Sequence, residues 1–440
     1  MEADAIVIGA GGAGLSAAKI LARRQFGVIL LEARDRVGGR VLSRQIPRTT
    51  TAIELGAEFI HGPAPCTMKL LRDAAITAVV VDGEAWTCNE AGELRRDDTD
   101  FTLTARALEK ARSLARDETA ERFLRRLERE EQTRPMAEAA RAFVEGFEAA
   151  DPATASARAI AEELRSGVDS SSSRPLSGYA PMFAHLYNGC AEAGVNIRLS
   201  TIVRRISWRR GAVSVDMHDS RGELRTIQAR VAIVTLPVGV LRHGGEGAEV
   251  RFDPELPPTK REALRNIEMG QAVKVALWFR TAFWERINNG RYRGAAFFRG
   301  KGQPFATYWT QLPVRSELIV AWAGGPKAVA LSGASEAEVM ERALNGFGEL
   351  FHEPKLARKE FQGSAMHDWD HDRFARGAYS YIVVGGGNAR AAFAAPIDGT
   401  LFFAGEATSI NGQGGTVNGA LETGERAATE AAAVLGARTT

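Results

Sequence analysis

The sequence predicts an α/β protein in which one domain is assembled from discontinuous segments around a glycine-rich βαβ unit, and a second, α+β domain with a mixed sheet is inserted into it. Three observations lead there. The N-terminal stretch DAIVIGAGGAGLSAAKILARRQFGVILLEARD reads as a strand, a glycine turn, a helix and a second strand. The other end of the chain has the same character: the apolar run TLFFAGEATS (400–409), then a glycine-rich segment and an alanine-rich helix. Between them, residues 103–165 change to a charged, helical pattern.

Each element follows from its local pattern. The first helix carries small residues on the side that would press on a sheet, and the second strand, Val28 to Leu31, ends at Glu32. In 103–165, Glu118 precedes Arg122 and Glu121 precedes Arg125 at helical spacing, with Leu114, Phe123 and Leu127 as the apolar positions. A helical insertion is expected there, and DSSSSRP (169–175) reads as a mobile linker back to the main body. Residues 195–234 alternate as strands do. GQAVKVALWF (270–279) also reads as a strand, with one ammonium, Lys274, in its middle. Either this is an edge strand with a charged gatekeeper, or the lysine is buried beside a reaction centre. Strand geometry would point Val273, Val275, Leu277 and Phe279 to one face, and Lys274, Ala276 and Trp278 to the other, which would line the site. The expected division assigns 1–75, 185–236 and 363–440 to the first domain, and 76–184 (with the helical insertion) and 237–362 to the second.

Composition narrows the function. A chain of 440 residues with 45% hydrophobic content is too long for one core. Its 56 Lys and Arg against 54 Asp and Glu leave a net charge of +2, so no global field attracts nucleic acid or an anionic membrane. No stretch has the length of a transmembrane helix, and MEADAIVIGAGGAG runs into a strand with no basic leader or cleavage site. The three cysteines, Cys66, Cys88 and Cys190, form no CxxC pair and imply neither a disulfide framework nor a zinc site. A cytoplasmic protein is expected. HDWDHD (367–372) lacks the spacing of a helix-face histidine pair, so no metal is expected. The expected partners are small molecules, with no nucleic acid and no membrane; an oligomer is left open.

Gly9, Gly11 and Gly14 form G-x-G-x-x-G after a strand and at the opening of a helix. The first permits the tight turn, the second lets a pyrophosphate approach the backbone, and the third lets helix and strand pack. Glu32, 18 residues beyond Gly14 at the end of the second strand, suits an adenosine ribose. Together these indicate a dinucleotide without separating NAD from FAD.

EARDRVGGRV (32–41) followed by IELGAEFIHG (53–62) resembles the flavin-dependent amine oxidases, within the monoamine oxidase family the branch of polyamine oxidases and lysine-specific histone demethylases. Similar stretches continue through VAIVTLPVGVL, AVKVALWF, WDHDRFARGAYSYI (369–382) and GTVNGALETGERAA (415–428), while the helical insertion and 283–360 match loosely. The resemblance implies an FAD-binding Rossmann-like domain, a substrate domain, and an active site between them, with FAD bound non-covalently. It implies cofactor contacts for the Gly9–Gly14 turn (with Gly12 and Ala13) and for Glu32 and Ala33. Arg34 and Arg40 would lie near the phosphates, with Gly39 beside them. Gly56, Ala57 and Trp369 would lie near the flavin and Val203 near adenine. Gly405, Glu406, Gly415, Thr416 and Val417 would complete the site at the cofactor's polyol, pyrophosphate and flavin ring.

The resemblance also implies the chemistry: a neutral amine gives hydride to flavin N5, the imine is hydrolysed to an aldehyde, and dioxygen becomes hydrogen peroxide. Lys274 is then the catalytic residue, contacting N5 through a water. Tyr379 supplies one aromatic wall for substrate, and facing it is Thr416, where monoamine oxidases place a second ring. His61 either projects toward substrate or is a turn histidine bonded to nearby backbone. An L-amino-acid oxidase, which needs an arginine clamp for the substrate carboxylate, and a flavin-binding scaffold without turnover remain as alternatives.

Overall fold

The computed structural model describes residues 2–46, 49, 51–97, 102–167, 171–243, 250–301 and 304–437. Strand Ala3–Ile8 pairs in parallel with Val28–Leu31 on one side and with Leu224–Val234 on the other, and Asn196–Arg198 extends the sheet beyond Val28–Leu31. Residues 5–8, 28–31 and 231–234 are buried on both faces, which is why they read as unbroken apolar runs rather than alternating ones. Leu224–Val234 is long enough for two partners along its other edge. Its first half pairs antiparallel with Ala212–His218, and its last three residues pair in parallel with Leu401–Phe403. The C-terminal segment thus returns to the N-terminal sheet.

The helices Gly12–Arg23, Ala180–Glu192 and Val417–Gly436 contribute to the core on one face of this sheet, where Ala17, Ala18, Ala427, Ala428 and Ala431 are fully buried. Small side chains let helix and sheet approach closely. The tightest point is Gly14, where a Cβ would stand 1.8 Å from the Gly9 carbonyl oxygen.

The second sheet has seven strands and is mixed. It runs Phe361–Met366, Ala272–Phe279, Leu318–Gly324, Thr307–Trp309, Ala295–Arg299, Glu84–Cys88, Leu94–Asp97, antiparallel except where Ala295–Arg299 meets Glu84–Cys88. Its core is aromatic, with Phe279, Phe283, Trp284, Phe298, Phe347 and Phe351 packed mostly edge to face. The helices of 102–163 form a third layer with their own core, which buries Phe123 and Leu127. The expected pairs of Glu118 with Arg122 and Glu121 with Arg125 are both present.

Two expectations need correction. The stretch Ser172–Pro175 is a strand and not a linker, paired with Ile60–His61 and Ala78–Val80; residues 169 and 170 lie outside the described residues. A serine run without apolar periodicity gives no local strand signal, yet its backbone groups find partners on both sides. The chain also stays with the first sheet past residue 237. Strand Arg251–Asp253 pairs with Ile202–Arg209, and Ala263 and Leu264 of helix Pro258–Arg265 pack in the same core, as does Ile267. No helix of the described residues is long and apolar enough to cross a membrane.

Replacing Gly14 by Val should destabilise the apoprotein by about 1–3 kcal/mol or more, as overpacking does, and abolish cofactor retention. Thermal unfolding and the yellow absorbance of the purified protein check both; a stable yellow variant would contradict the packing argument.

Candidate active site

One large cavity, about 1460 Å³, opens where the two sheets meet. Ile8, Leu31, Glu32, Thr235 and Gly405 line it, so it lies at the carboxyl ends of the parallel strands, where open α/β sheets bind ligands. It gathers every residue expected at a site, namely Gly9, Gly11, Gly12, Ala13, Glu32, Ala33, Arg34, Gly39, Arg40, Gly56, Ala57, His61, Val203, Lys274, Trp369, Tyr379, Gly405, Glu406, Gly415, Thr416 and Val417, except Gly14. Gly14 stands behind the wall, in the packing place expected for the third glycine of the turn.

At the dinucleotide end, Gly11 has open space where a Cβ would be, so backbone is presented directly to a ligand. Glu32 is held from behind: its carboxylate accepts from Ala10 N at 2.7 Å and Arg34 N at 2.9 Å. Burial raises its pKa against the pull of these two N–H groups. Arg40 donates to Glu406 at 2.8 Å and to the Ala378 carbonyl at 2.9 Å. The Glu406 carboxylate also accepts from Ser380 Oγ at 2.6 Å and Gly415 N at 3.0 Å. Burial acts to raise its pKa, but Arg40, Arg390 and Ser380 outweigh this and hold it low. Helix Val417–Gly436 starts on the cavity, so its positive end faces whatever occupies this region. Gly56 is confined between the Arg40 carbonyl, 2.0 Å from a Cβ placed on it, and the Trp369 ring, 3.1 Å away. Trp369 is fixed by donating Nε1 to the Leu55 carbonyl at 2.8 Å. The glycine cradle, the ribose-facing carboxylate and the helix end fit a dinucleotide as long as FAD.

Two of the expected residues also make contacts within the protein. Arg34 gives both terminal nitrogens to Asp372, at 2.8 and 2.9 Å, and lies over the Phe374 ring. Its guanidinium thereby ties the 367–374 loop to the cavity wall. The Thr416 hydroxyl caps the C-terminal helix, accepting from Gly419 N at 2.9 Å and donating to the Gln413 carbonyl at 2.8 Å. The residue against the Tyr379 ring is Gly415, whose Cβ would lie 3.2 Å from Tyr379 Cδ2.

Tyr379 donates its hydroxyl to the Phe147 carbonyl at 2.6 Å, which sets the ring's orientation. His61 packs edge-on against Phe147 at 4.8 Å, with Nδ1 3.3 Å from Ser172 Oγ, and burial pushes its pKa down to about 4. It therefore lines the cavity as a neutral ring.

Lys274 lies on a strand paired on both sides, which removes the edge-gatekeeper reading. It is 3% exposed. Its Nζ donates to the Gly56 carbonyl at 3.1 Å and pairs with Glu58 at 2.6 Å. Alternation along the strand is as expected, but only part of the Lys274 face lines the cavity. Ala276 and Trp278 pack instead in an apolar cluster with Ile53 and Leu55.

Sequence reasoning missed several residues. Glu58 is a lone carboxylate inside the apolar stretch LGAEFI, the same signal that singled out Lys274. Arg174, hidden in the serine run, pairs with Glu58 at 3.1 Å. Glu148 lines the cavity beside Phe147 and is buried; burial first, then Glu163, raise its pKa to about 8 despite Arg390. Nothing in FEAADP marked it. Among the described residues no group of three His, Cys, Asp or Glu is placed to hold a metal ion.

This geometry defines a dinucleotide cleft joined to a cavity with an aromatic wall. The chain belongs to the flavin containing amine oxidoreductase family, whose sequence pattern matches residues 13–432, and it is a flavin-containing amine oxidase with FAD as cofactor. Among its relatives are polyamine oxidase 4 of Oryza sativa subsp. japonica, 27% identical over 97% of this chain and 88% of the relative, and polyamine oxidase 2 of Arabidopsis thaliana, 28% identical over 96% and 86%. Human lysine-specific histone demethylase 2 is 27% identical over 97% of this chain but only 53% of the relative. Putrescine oxidase, in a structure bound to putrescine, shares the fold with a TM-score of 0.81 at 21% identity over 98% of this chain and 99% of the other. Cyclohexylamine oxidase from Brevibacterium oxydans shares it with a TM-score of 0.79 at 19% identity over the full length of both chains.

The residue before Tyr379 is Ala378, and the cysteines Cys66, Cys88 and Cys190 all lie in the N-terminal half of the chain. Acid precipitation should leave yellow FAD in the supernatant; colour retained in the washed pellet would mean a covalent link.

Proposed function

We propose that this enzyme oxidises a diamine or polyamine, with the reacting nitrogen neutral in front of the cofactor and a second, charged nitrogen held by Glu148. Glu148 is the observation that carries the reading. A carboxyl buried in the cavity wall keeps a pKa raised to about 8 because burial and Glu163 outweigh Arg390, so a further cation would favour its ionised form. A substrate ammonium is such a cation. The names of the polyamine oxidase relatives support the same substrate class.

Bound FAD supplies the two-electron acceptor that takes hydride from the carbon beside nitrogen and passes the electrons to dioxygen. The chain's own residues orient and exclude. Tyr379, Phe147 and Phe59 form an apolar wall that favours an uncharged amine at the reacting end, since desolvation disfavours ammonium. His61 stays neutral and does not repel a cationic chain. Lys274, fixed at the Gly56 carbonyl, places a cation on the cofactor side, where it stabilises developing negative charge and orders water for proton transfer. The imine product is hydrolysed to an aldehyde, and dioxygen leaves as hydrogen peroxide. An amino-acid substrate fits less well. Arg34 and Arg40, which line the cavity and could clamp a carboxylate, are committed to Asp372 and Glu406.

An amine panel with peroxide detection tests the proposal, with diamines and polyamines expected to exceed monoamines of equal length. Replacing Glu148 by Gln should lower kcat/KM for a diamine by roughly 10- to 100-fold, the worth of one charge-assisted contact, and leave the monoamine nearly unchanged. Equal losses for both would remove the support. The preference should also depend on pH. Below about 8 the free carboxyl holds a proton that must leave before the ion pair forms, so the diamine advantage should rise with pH up to about 8 and then level off.

Replacing Lys274 by Met should preserve folding and FAD binding, and slow flavin reduction by amine or reoxidation by dioxygen by about 10²–10³-fold. Stopped-flow absorbance separates the two half-reactions; wild-type rates in both would reduce the lysine to a structural residue.

A further inference from the structure

Lys274 does not act alone. It belongs to a closed group of four buried charges drawn from three segments. Glu58 follows Ala57 of the cavity wall, Glu54 is on strand Ile53–Glu54, Arg174 is on strand Ser172–Pro175, and Lys274 is on the central strand of the mixed sheet. All four are buried. Glu58 is the hub. One carboxylate oxygen meets Lys274 Nζ at 2.6 Å; the other accepts from Trp309 Nε1 at 3.0 Å and Gln311 Nε2 at 3.3 Å and meets Arg174 Nη1 at 3.1 Å. Arg174 is held in turn by the Gln311 side chain at 2.8 Å and lies over the Phe59 ring. Glu54 faces the same group, with one oxygen occupied by Ser43 Oγ at 2.7 Å and Tyr179 N at 2.8 Å.

We propose that Glu58 is the positioning residue of Lys274: its carboxylate holds the ammonium at the Gly56 carbonyl, so that a charged lysine stays fixed on the cofactor side of the cavity. Three features carry this. The Lys274 ammonium is ion-paired with Glu58 at 2.6 Å. Glu58 is itself fixed by Trp309 and Gln311, so its place does not depend on the lysine. Arg174, on the far side of Glu58, adds a second positive charge that would repel the ammonium without the carboxylate between them. Burial raises the Glu58 pKa, but Lys274 and then Arg174 overcome it and hold the group ionised.

Without the carboxylate, a desolvated ammonium near a guanidinium releases its proton more readily. The proposal rests on Lys274 lying at the cofactor side, but not on the identity of the amine. Its test therefore uses no amine. The midpoint potential of bound FAD is measured against pH by photoreduction in wild type, Glu58→Gln, Glu58→Asp, Lys274→Met and the double variant Glu58→Gln/Lys274→Met. Glu58→Gln should show an added pH-dependent step that wild type lacks, and Glu58→Asp should largely restore the wild-type curve. The double variant should lose the step, which assigns it to Lys274 and not to Glu54 or Arg174. In Lys274→Met the remaining Glu58 loses its closest cation and should take up a proton at higher pH than in wild type, so a step also appears there even if Glu58→Gln fails to fold. A Glu58→Gln curve parallel to wild type, with only the melting temperature lowered, would overturn the proposal. So would a step that survives in the double variant, or a Lys274→Met curve without one. If amines of every class fail to reduce the flavin, the substrate reading falls while these curves still decide the role of Glu58.

Discussion

The buried carboxylate of Glu406 is the joint on which the cavity depends. It receives Arg40 from the N-terminal loop, Ser380 from the strand after the 367–374 loop, and the Gly415 amide from the turn that starts the last helix. Ser380 is also bonded by Arg390, which pairs with Glu163 of the helical layer. Segments from both ends of the chain and from the insertion thus meet in one network of charges. Desolvating such groups is costly, and the cost is offset only when each has its partner in place. The network is therefore stable when all these segments have arrived, and it shapes the wall of the site as they do.

A second network, centred on Glu58, does the corresponding work for the mixed sheet. It fastens the central strand to the 53–62 segment through Lys274 and to the strand Ser172–Pro175 through Arg174. Between the two networks lie Gly56 and Trp369, packed to contact distance. The cofactor side of the cavity is thereby built from groups that leave little freedom to move. The rest of the cavity is lined by rings and by several carboxyls, of which Glu148 is buried with its pKa raised to about 8. That division suits a reaction in which the protein must hold one partner rigidly and choose the other by charge.

Much of this was legible in the sequence. The βαβ unit, the glycine turn, the helical insertion and the return of the C-terminus to the first sheet all follow from short-range patterns. Gly9, Gly11, Gly14 and Glu32 follow from the fixed spacing of a glycine turn and the strand after it, while the other residues of the dinucleotide wall came from the resemblance to the amine oxidase family. Lys274 announced itself as an ammonium in a strand of apolar residues. What short-range pattern left open was the protein partner of a side chain with two chemically sensible occupations. Arg34 suits a phosphate as well as a carboxylate, and Asp372, 338 positions away, took it. Thr416 suits a substrate wall as well as a helix cap, and the orphan amide of Gly419 took it.

By itself, then, the sequence determined the class of fold, the dinucleotide cleft and the presence of an unusual lysine, because each is written in local periodicity or in a contiguous motif. Only the tertiary structure decided what that lysine is paired with, that a serine-rich run is a strand carrying a buried arginine, and that Glu148 reaches the cavity. The physical reason is that electrostatics in a desolvated interior is set by distance in space. Glu58, Arg174 and Lys274 belong to three separate segments, and their charges have meaning only once folding has removed the water between them.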